Sequence, residues 1–100
     1  MILELADLRI DPAKSTEFEA AIERGLTTVV CHSKGFKGYK VNRSHETAGR
    51  YILMAYWETL EDHMVGFRQS QAFTDWRAIV GPFFVQPPVV EHFDLVIKSA

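Results

Sequence analysis

Cysteine is almost missing from this chain. Cys31 is the only one in 100 residues, which excludes an intrachain disulfide and any cysteine-built zinc site, and makes a reducing cytoplasm the expected home. Proline and glycine are also scarce, at 4 and 6 residues, too few for a fibrous or low-complexity chain. No excess of positive charge exists: the net charge is -2 and the pI about 6.0, without the basic footprint of a nucleic-acid binder or a protein held on anionic lipid. The longest uninterrupted apolar run, Tyr51 to Trp57, falls far short of the roughly 20 residues that cross a bilayer. The opening MILELADLRI contains Glu4 and Asp7 and no basic leader, so no signal peptide is expected. These absences describe a soluble, cytoplasmic protein whose partners are neither nucleic acid nor membrane.

What is present is a core-forming composition, 47% apolar and 24% charged, which suits one domain over residues 1-100. A chain of this size buries roughly 60 to 70% of its unfolded surface and folds with little margin. Residues 2 to 10 alternate Leu and Ile with polar residues and end at Asp11-Pro12, an N-cap followed by a first helical position. Phe18, Ala21, Ile22, Gly25 and Val29 then recur at helical steps, predicting an amphipathic helix that ends near His32. A second strand is expected over 36 to 44, ahead of the polar stretch Ser44 to Gly49. Lys34, Lys37, Lys40 and Arg43 recur every third residue, a period that alternates faces in a strand and reads as a solvated edge.

The segment from Arg50 to Trp57 is apolar in both alternate phases, as a strand covered on both faces would be. Thr59 and Asp62 have the spacing of a capping box, predicting a short helix. Ser70 is placed to cap another, with Phe73, Trp76 and Val80 as its apolar stripe and Gly81-Pro82 as its stop. Val89 to Ile97 reads as a last strand. The order β-α-β-β-α-(α)-β is the split βαβ pattern of ferredoxin-like α+β domains, with helices on one face of an antiparallel four-stranded sheet. Leu53, Ala55 and Trp57 point one way, and Ile52, Met54 and Tyr56 the other. No helix remains to cover the second face, so a second copy of the same sheet is its expected cover, giving a homodimer.

The usual signatures of chemistry are missing. His32, His45, His63 and His92 show no metal-ligand spacing, so no metal is expected. Gly35-Phe-Lys-Gly38 belongs to no nucleotide fingerprint, and no serine or cysteine has the context of an activated nucleophile. What remains is a cluster at the sheet-to-helix junction, formed by Trp57, His63 and Arg77. His63 shares a helical phase with Leu60 and Phe67 and faces apolar surroundings. Arg77 borders the Phe73/Trp76/Val80 stripe, where its stem can pack while its head reaches a cavity. Each also has a plain structural reading: Trp57 as core, His63 as a helix histidine bonded to backbone, and Arg77 as a surface partner of Asp75 or Glu58.

The passage YILMAYWETLEDHMVGFRQSQAFTDW, with strand-terminal Trp57, His63 and Ser70-x-x-Phe73, and the closing Pro88-Val-Val-Glu-His92-Phe strand, resembles the antibiotic biosynthesis monooxygenase-like family of dimeric α+β barrels. The resemblance covers nearly the whole chain. In members that oxidise polycyclic phenols without metal or flavin, the site uses an Asn, a Trp, an aromatic hydroxyl and an Arg. The resemblance puts the Trp at Trp57, the hydroxyl-bearing residue at His63 and the Arg at Arg77, while Leu53 stands where the Asn would be. The haem-degrading branch uses an Asn, a helical Trp and a helical His; the nearest counterparts here are Asp7, Phe67 and Arg77, which imply no haem.

The activity so implied is a cofactor-independent monooxygenase acting with dioxygen on a small phenol-, hydroquinone- or anthrone-like aromatic. His63, with an ordinary pKa of about 6.5, would be the general base. Arg77 would hold the developing oxyanion, and Trp57, Phe67 and Phe73 would stack on the ring. His92 is a second base candidate, on a strand face that alternation alone leaves open. Two other readings stand beside this one: a non-catalytic dimeric barrel that binds an aromatic metabolite, and an oxygen-independent isomerase.

Overall fold

The computed structural model describes all 100 residues. Four strands, β1 (Ile2–Arg9), β2 (Phe36–Arg43), β3 (Arg50–Trp57) and β4 (Val89–Asp94), form one sheet in the order β2-β3-β1-β4. Every neighbouring pair is antiparallel. Helix α1 (Ser15–Thr28) joins β1 to β2, and α2 (Gln71–Val80) precedes β4. This is the ferredoxin-like α+β arrangement that the element order predicted, with β3 inserted between the two strands that α1 connects. No helix is long and apolar enough to cross a membrane.

The two faces of the sheet follow from period-two alternation. On the helix side, Ala6 and Leu8 of β1, Ile10 just beyond it, and Tyr51, Leu53, Ala55 and Trp57 of β3 are buried. They meet Phe18, Ile22 and Leu26 of α1 and Trp76 and Val80 of α2 in one core. Phe18 sits at its centre, with its ring centroid 4.9 Å from that of Tyr51 and 5.6 Å from that of Phe83. The opposite face carries Leu3, Leu5, Ile52, Met54 and Tyr56, all partly exposed, and Phe93 and Val89, both exposed. Side chains on both sides of β3 are therefore apolar, as read from its sequence, but helices cover one side alone. Strand β2 lies at the sheet's edge, in keeping with its run of lysines.

Several boundaries differ from the sequence reading. The first helical stretch is three pieces: a 3-10 turn over Pro12–Lys14 capped by the Asp11 side chain, α1 itself, and a second 3-10 turn over Val30–His32. Leu26 rather than Val29 completes the buried stripe of α1. The second strand ends at Arg43, and the last one at Asp94 rather than Ile97. Asp94 pairs with Ile2, where β1 itself begins, so Leu95, Val96 and Ile97 have no strand to pair with and lie exposed.

The helix after Thr59 is a π-helix over Asp62–Phe67. Thr59 supplies half of the expected capping box, accepting from the Asp62 N–H at 3.1 Å. The Arg68 N–H bonds back to the His63 carbonyl at 2.9 Å, five residues away. This wider turn keeps His63 and Phe67 buried together while Leu60 is left 47% exposed, outside the face that ordinary helical phase assigned to all three. Ser70 precedes α2, but its hydroxyl donates to the Phe67 carbonyl at 2.7 Å instead of capping that helix.

Helices α1 and α2 meet at Gly25, where an added Cβ would stand 2.8 Å from Cε3 of the Trp76 ring. Alanine would raise helix propensity by about 1 kcal/mol, but overpacking costs about 1 to 3 kcal/mol. The clash should win. Gly25→Ala is expected to lower the thermal midpoint by about 4 to 8 °C, measured by circular dichroism, and an unchanged or raised midpoint would show that the helices separate freely.

Candidate active site

The arrangement begins with a carboxylate where alternation calls for an apolar side chain. Glu4 shares the inward phase of Ala6, Leu8 and Ile10, and is only 8% exposed. A buried carboxylate requires donors, and two converge on it. The Trp57 indole Nε1–H donates to Glu4 Oε1 at 3.0 Å, and His63 Nε2 lies 3.1 Å from the same oxygen. On its other side, His63 Nδ1 is 2.8 Å from His92 Nε2. An indole nitrogen can only donate, so it sets the polarity of the chain. With Glu4 ionised and both imidazoles neutral, Glu4 accepts, His63 donates from Nε2 and accepts at Nδ1, and His92 donates from Nε2.

Four elements build this chain. Glu4 and His92 are paired across β1 and β4, which puts His92 on the helix side of the sheet. Trp57 ends β3 directly opposite Ile2. The π-turn carries His63 over them, with its ring centroid 5.0 Å from that of Trp57 and 6.0 Å from the stacked ring of Phe67. Phe67 in turn meets Phe73 edge-on at 5.6 Å. Beside the chain lies a cavity of about 100 Å³, whose wall includes Glu4, His63, Phe67, Phe73, Trp76 and Leu53, with Arg68 and Arg77 also bordering it. Both bonds to Glu4 fall on Oε1, so Oε2 is the carboxylate oxygen left for a ligand.

The residues singled out in sequence are thus largely gathered, though in altered relations. His63, Phe67, Phe73 and Arg77 border the cavity. Trp57 is fully buried and stands behind Glu4 and His63, off the cavity wall. His92 touches the site through His63. His63 bonds to side chains rather than backbone, and both its ring nitrogens are engaged. Arg77 pairs with neither suggested partner: Asp75 accepts from Gln71 at 3.0 Å, and Glu58 pairs with Lys37 at 3.2 Å. Instead its guanidinium carbon stands 6.0 Å from the Phe73 ring centroid.

Glu4, Arg68 and Trp76 were not among the sequence candidates. The in-phase position of Glu4 within an apolar alternation was the available signal. Arg68 gave none, because only the π-turn brings it to the cavity. No group of three His, Cys, Asp or Glu side chains is arranged to hold a metal ion; Glu4, His63 and His92 form a line and spend their polar atoms on one another.

An antiparallel four-stranded sheet with helices on one face places the chain among the ferredoxin-like α+β proteins, and its likeness to known proteins gives the family. The antibiotic biosynthesis monooxygenase family model matches residues 1–79, and the chain belongs to that family. An uncharacterised Bacillus subtilis (strain 168) protein, YczJ, is 37% identical over 93 residues, covering 93% of this chain and 97% of that protein. A candidate antibiotic biosynthesis monooxygenase from Bordetella bronchiseptica superposes with a TM-score of 0.90 at 38% identity, covering 96% and 97% of the two chains. The Streptomyces coelicolor monooxygenase ActVA-Orf6, solved in complex with nanaomycin D, shares the fold with a TM-score of 0.79 at 16% identity, covering 98% of this chain and 92% of its own.

Burial has opposite consequences for the acid and the bases. It lowers the pKa of His63 from 6.5 to about 4, helped by the neighbouring His92 and the charge of Arg68. Burial and then Arg68 lower His92 as well. For Glu4, burial raises the carboxyl pKa, against the pull of the Trp57 hydrogen bond and Arg68. The unfolded chain protonates His63 near 6.5 and the folded chain only near 4, so the unfolded state holds more protons between those values. The His63 contribution to stability is therefore complete above pH 6.5 and declines as the pH falls toward 4, while Glu4 contributes in the opposite sense. His63→Gln should flatten the acid-side decline over that window, seen as a smaller loss of denaturation midpoint from pH 7 to pH 4.5 than in the parent; an equal loss would show that His63 titrates normally.

Proposed function

We propose that the protein is a cofactor-independent monooxygenase that deprotonates a small aromatic hydroxy compound and lets the resulting anion react with dioxygen. The observation that carries this reading is the Trp57-Glu4-His63-His92 chain, whose carboxylate borders a largely apolar cavity. Triplet dioxygen reacts slowly with closed-shell molecules unless they donate an electron readily, and a phenolate does. The required protein work is proton removal, anion stabilisation and exclusion of water.

Glu4 Oε2 takes the proton, and the raised carboxyl pKa retains it. His63 holds Glu4 in place through Nε2 and is itself held by His92, so the three act as one base. Arg77 stabilises the phenolate and the oxygen adduct by charge-assisted hydrogen bonding. Phe67 and Phe73 pack against the ring, and Trp57 fixes the carboxylate from behind. For a simple phenol the products balance as one quinone and one water from one phenol and one dioxygen. The electrons pass from ring to oxygen, and the second oxygen atom leaves as water.

Glu4→Gln keeps the shape and an acceptor for the indole but removes the base. It should cut oxygen consumption with a hydroquinone or phenol substrate by about 100- to 10,000-fold, read with an oxygen electrode. Turnover that persists without oxygen would replace the oxygenase with an isomerase. Binding without turnover in either atmosphere would leave a metabolite-binding module.

A homodimer completes this reading. Leu3, Ile52, Met54, Tyr56 and Phe93 form an apolar face on a body only 20 Å thick, and the exposed Leu95, Val96 and Ile97 extend it. Such a face exceeds what monomers usually leave in water, and a second copy supplies an identical apolar surface. The exposed, unpaired Cys31 suits a reducing cytoplasm. Met54→Lys adds a cation beside Lys40, its neighbour in register, and should convert the dimer to folded monomer in sedimentation; a parent that is already monomeric at micromolar concentration would end the dimer reading.

A further inference from the structure

The geometry points to an anionic substrate: a single-ring hydroxyaromatic acid whose carboxylate lies between Arg68 and Arg77 at the cavity mouth while its ring enters beside Glu4. This rests on the functional reading above and names the substrate class for the same site. Arg68 and Arg77 share one aromatic ring, their guanidinium carbons standing 5.5 and 6.0 Å from the Phe73 centroid. Neither is ion-paired, whereas Arg9, Arg43 and Arg50 all bind carboxylates at 2.7 to 3.0 Å. The single carboxylate on the cavity wall, Glu4, spends Oε1 on Trp57 and His63.

Charge and size lead to the same class. The chain as a whole carries a net charge of -2, yet the cavity has two arginines against one carboxylate, with both nearby histidines held toward their neutral forms by burial. The region is short of one negative charge, and a monoanion supplies it. Arginine on an aromatic face presents its planar fork to a carboxylate. A cavity of about 100 Å³ is smaller than the roughly 150 Å³ apolar cavity that takes up benzene, so it excludes fused rings and leaves any substituent of a single ring at the mouth.

Trp76 borders the cavity and provides an optical readout that needs no turnover. Titration of the full-length protein with 4-hydroxybenzoate, its methyl ester and phenol, followed by tryptophan fluorescence, should show the acid binding at least about tenfold more tightly than the ester. The preference should shrink in 0.5 M salt. Arg68→Gln should weaken the acid by about five- to tenfold and leave the ester unchanged, and Arg77→Gln should weaken the acid by at least as much, with circular dichroism confirming the fold. Equal affinity for acid and ester, a preference that survives both substitutions together, or no binding of either at millimolar concentration would overturn the assignment. Selective binding of the acid without oxygen consumption would retire the oxygenase reading and leave the anion site standing.

Discussion

A carboxylate on the inward face of a central strand constrains everything around it. Glu4 sits in β1, flanked by β3 and β4, at a position in phase with the core residues Ala6 and Leu8. A charge there is tolerated only if donors meet it. The indole from the end of β3 and the imidazole from the π-turn do so, and His92 braces the imidazole from β4. Two separate segments are tied to one oxygen atom and a third braces one of them, and the cavity lies where helix packing stops short of that carboxylate.

The same burial creates chemical potential. Withdrawing the three titratable groups from water disfavours their charged forms in every case, so the acid is pushed up and the bases are pushed down. A carboxylate whose pKa is raised by burial is a better proton acceptor than an ordinary one, and the neutral imidazole beside it can hold it in place without competing for the proton. The π-helix belongs to this arrangement. Its extra residue per turn brings His63 inward and carries Arg68 to the cavity edge, where a regular helix would have placed different side chains.

The protein also has two unequal sides. Helices seal the inner face of the sheet, while the outer face, apolar around Leu3, Met54, Tyr56 and Phe93 and charged around Asp7, Arg9 and Arg50, stays open. Family membership and the close likeness to the Bordetella bronchiseptica structure show the same fold, and in this chain the Glu4-His63 pair lies between helices and sheet.

Much of this was legible in the chain itself. Strand and helix order, the doubly apolar β3, the edge character of β2 and the grouping of His63, Phe67, Phe73 and Arg77 follow from periodicity and turn signals, because these depend on residues near one another in sequence. Other features required the folded chain. The face occupied by His92 depends on its register with Glu4, the end of β4 on where β1 begins, and the role of Arg68 on a helix wider than the usual period. Glu4 is the clearest case: its inward phase was visible, but its partners are 53 and 59 positions away. Local pattern determined which residues would be buried or exposed, and tertiary structure decided which polar groups would meet, since a hydrogen bond depends on distance in space and not on distance along the chain.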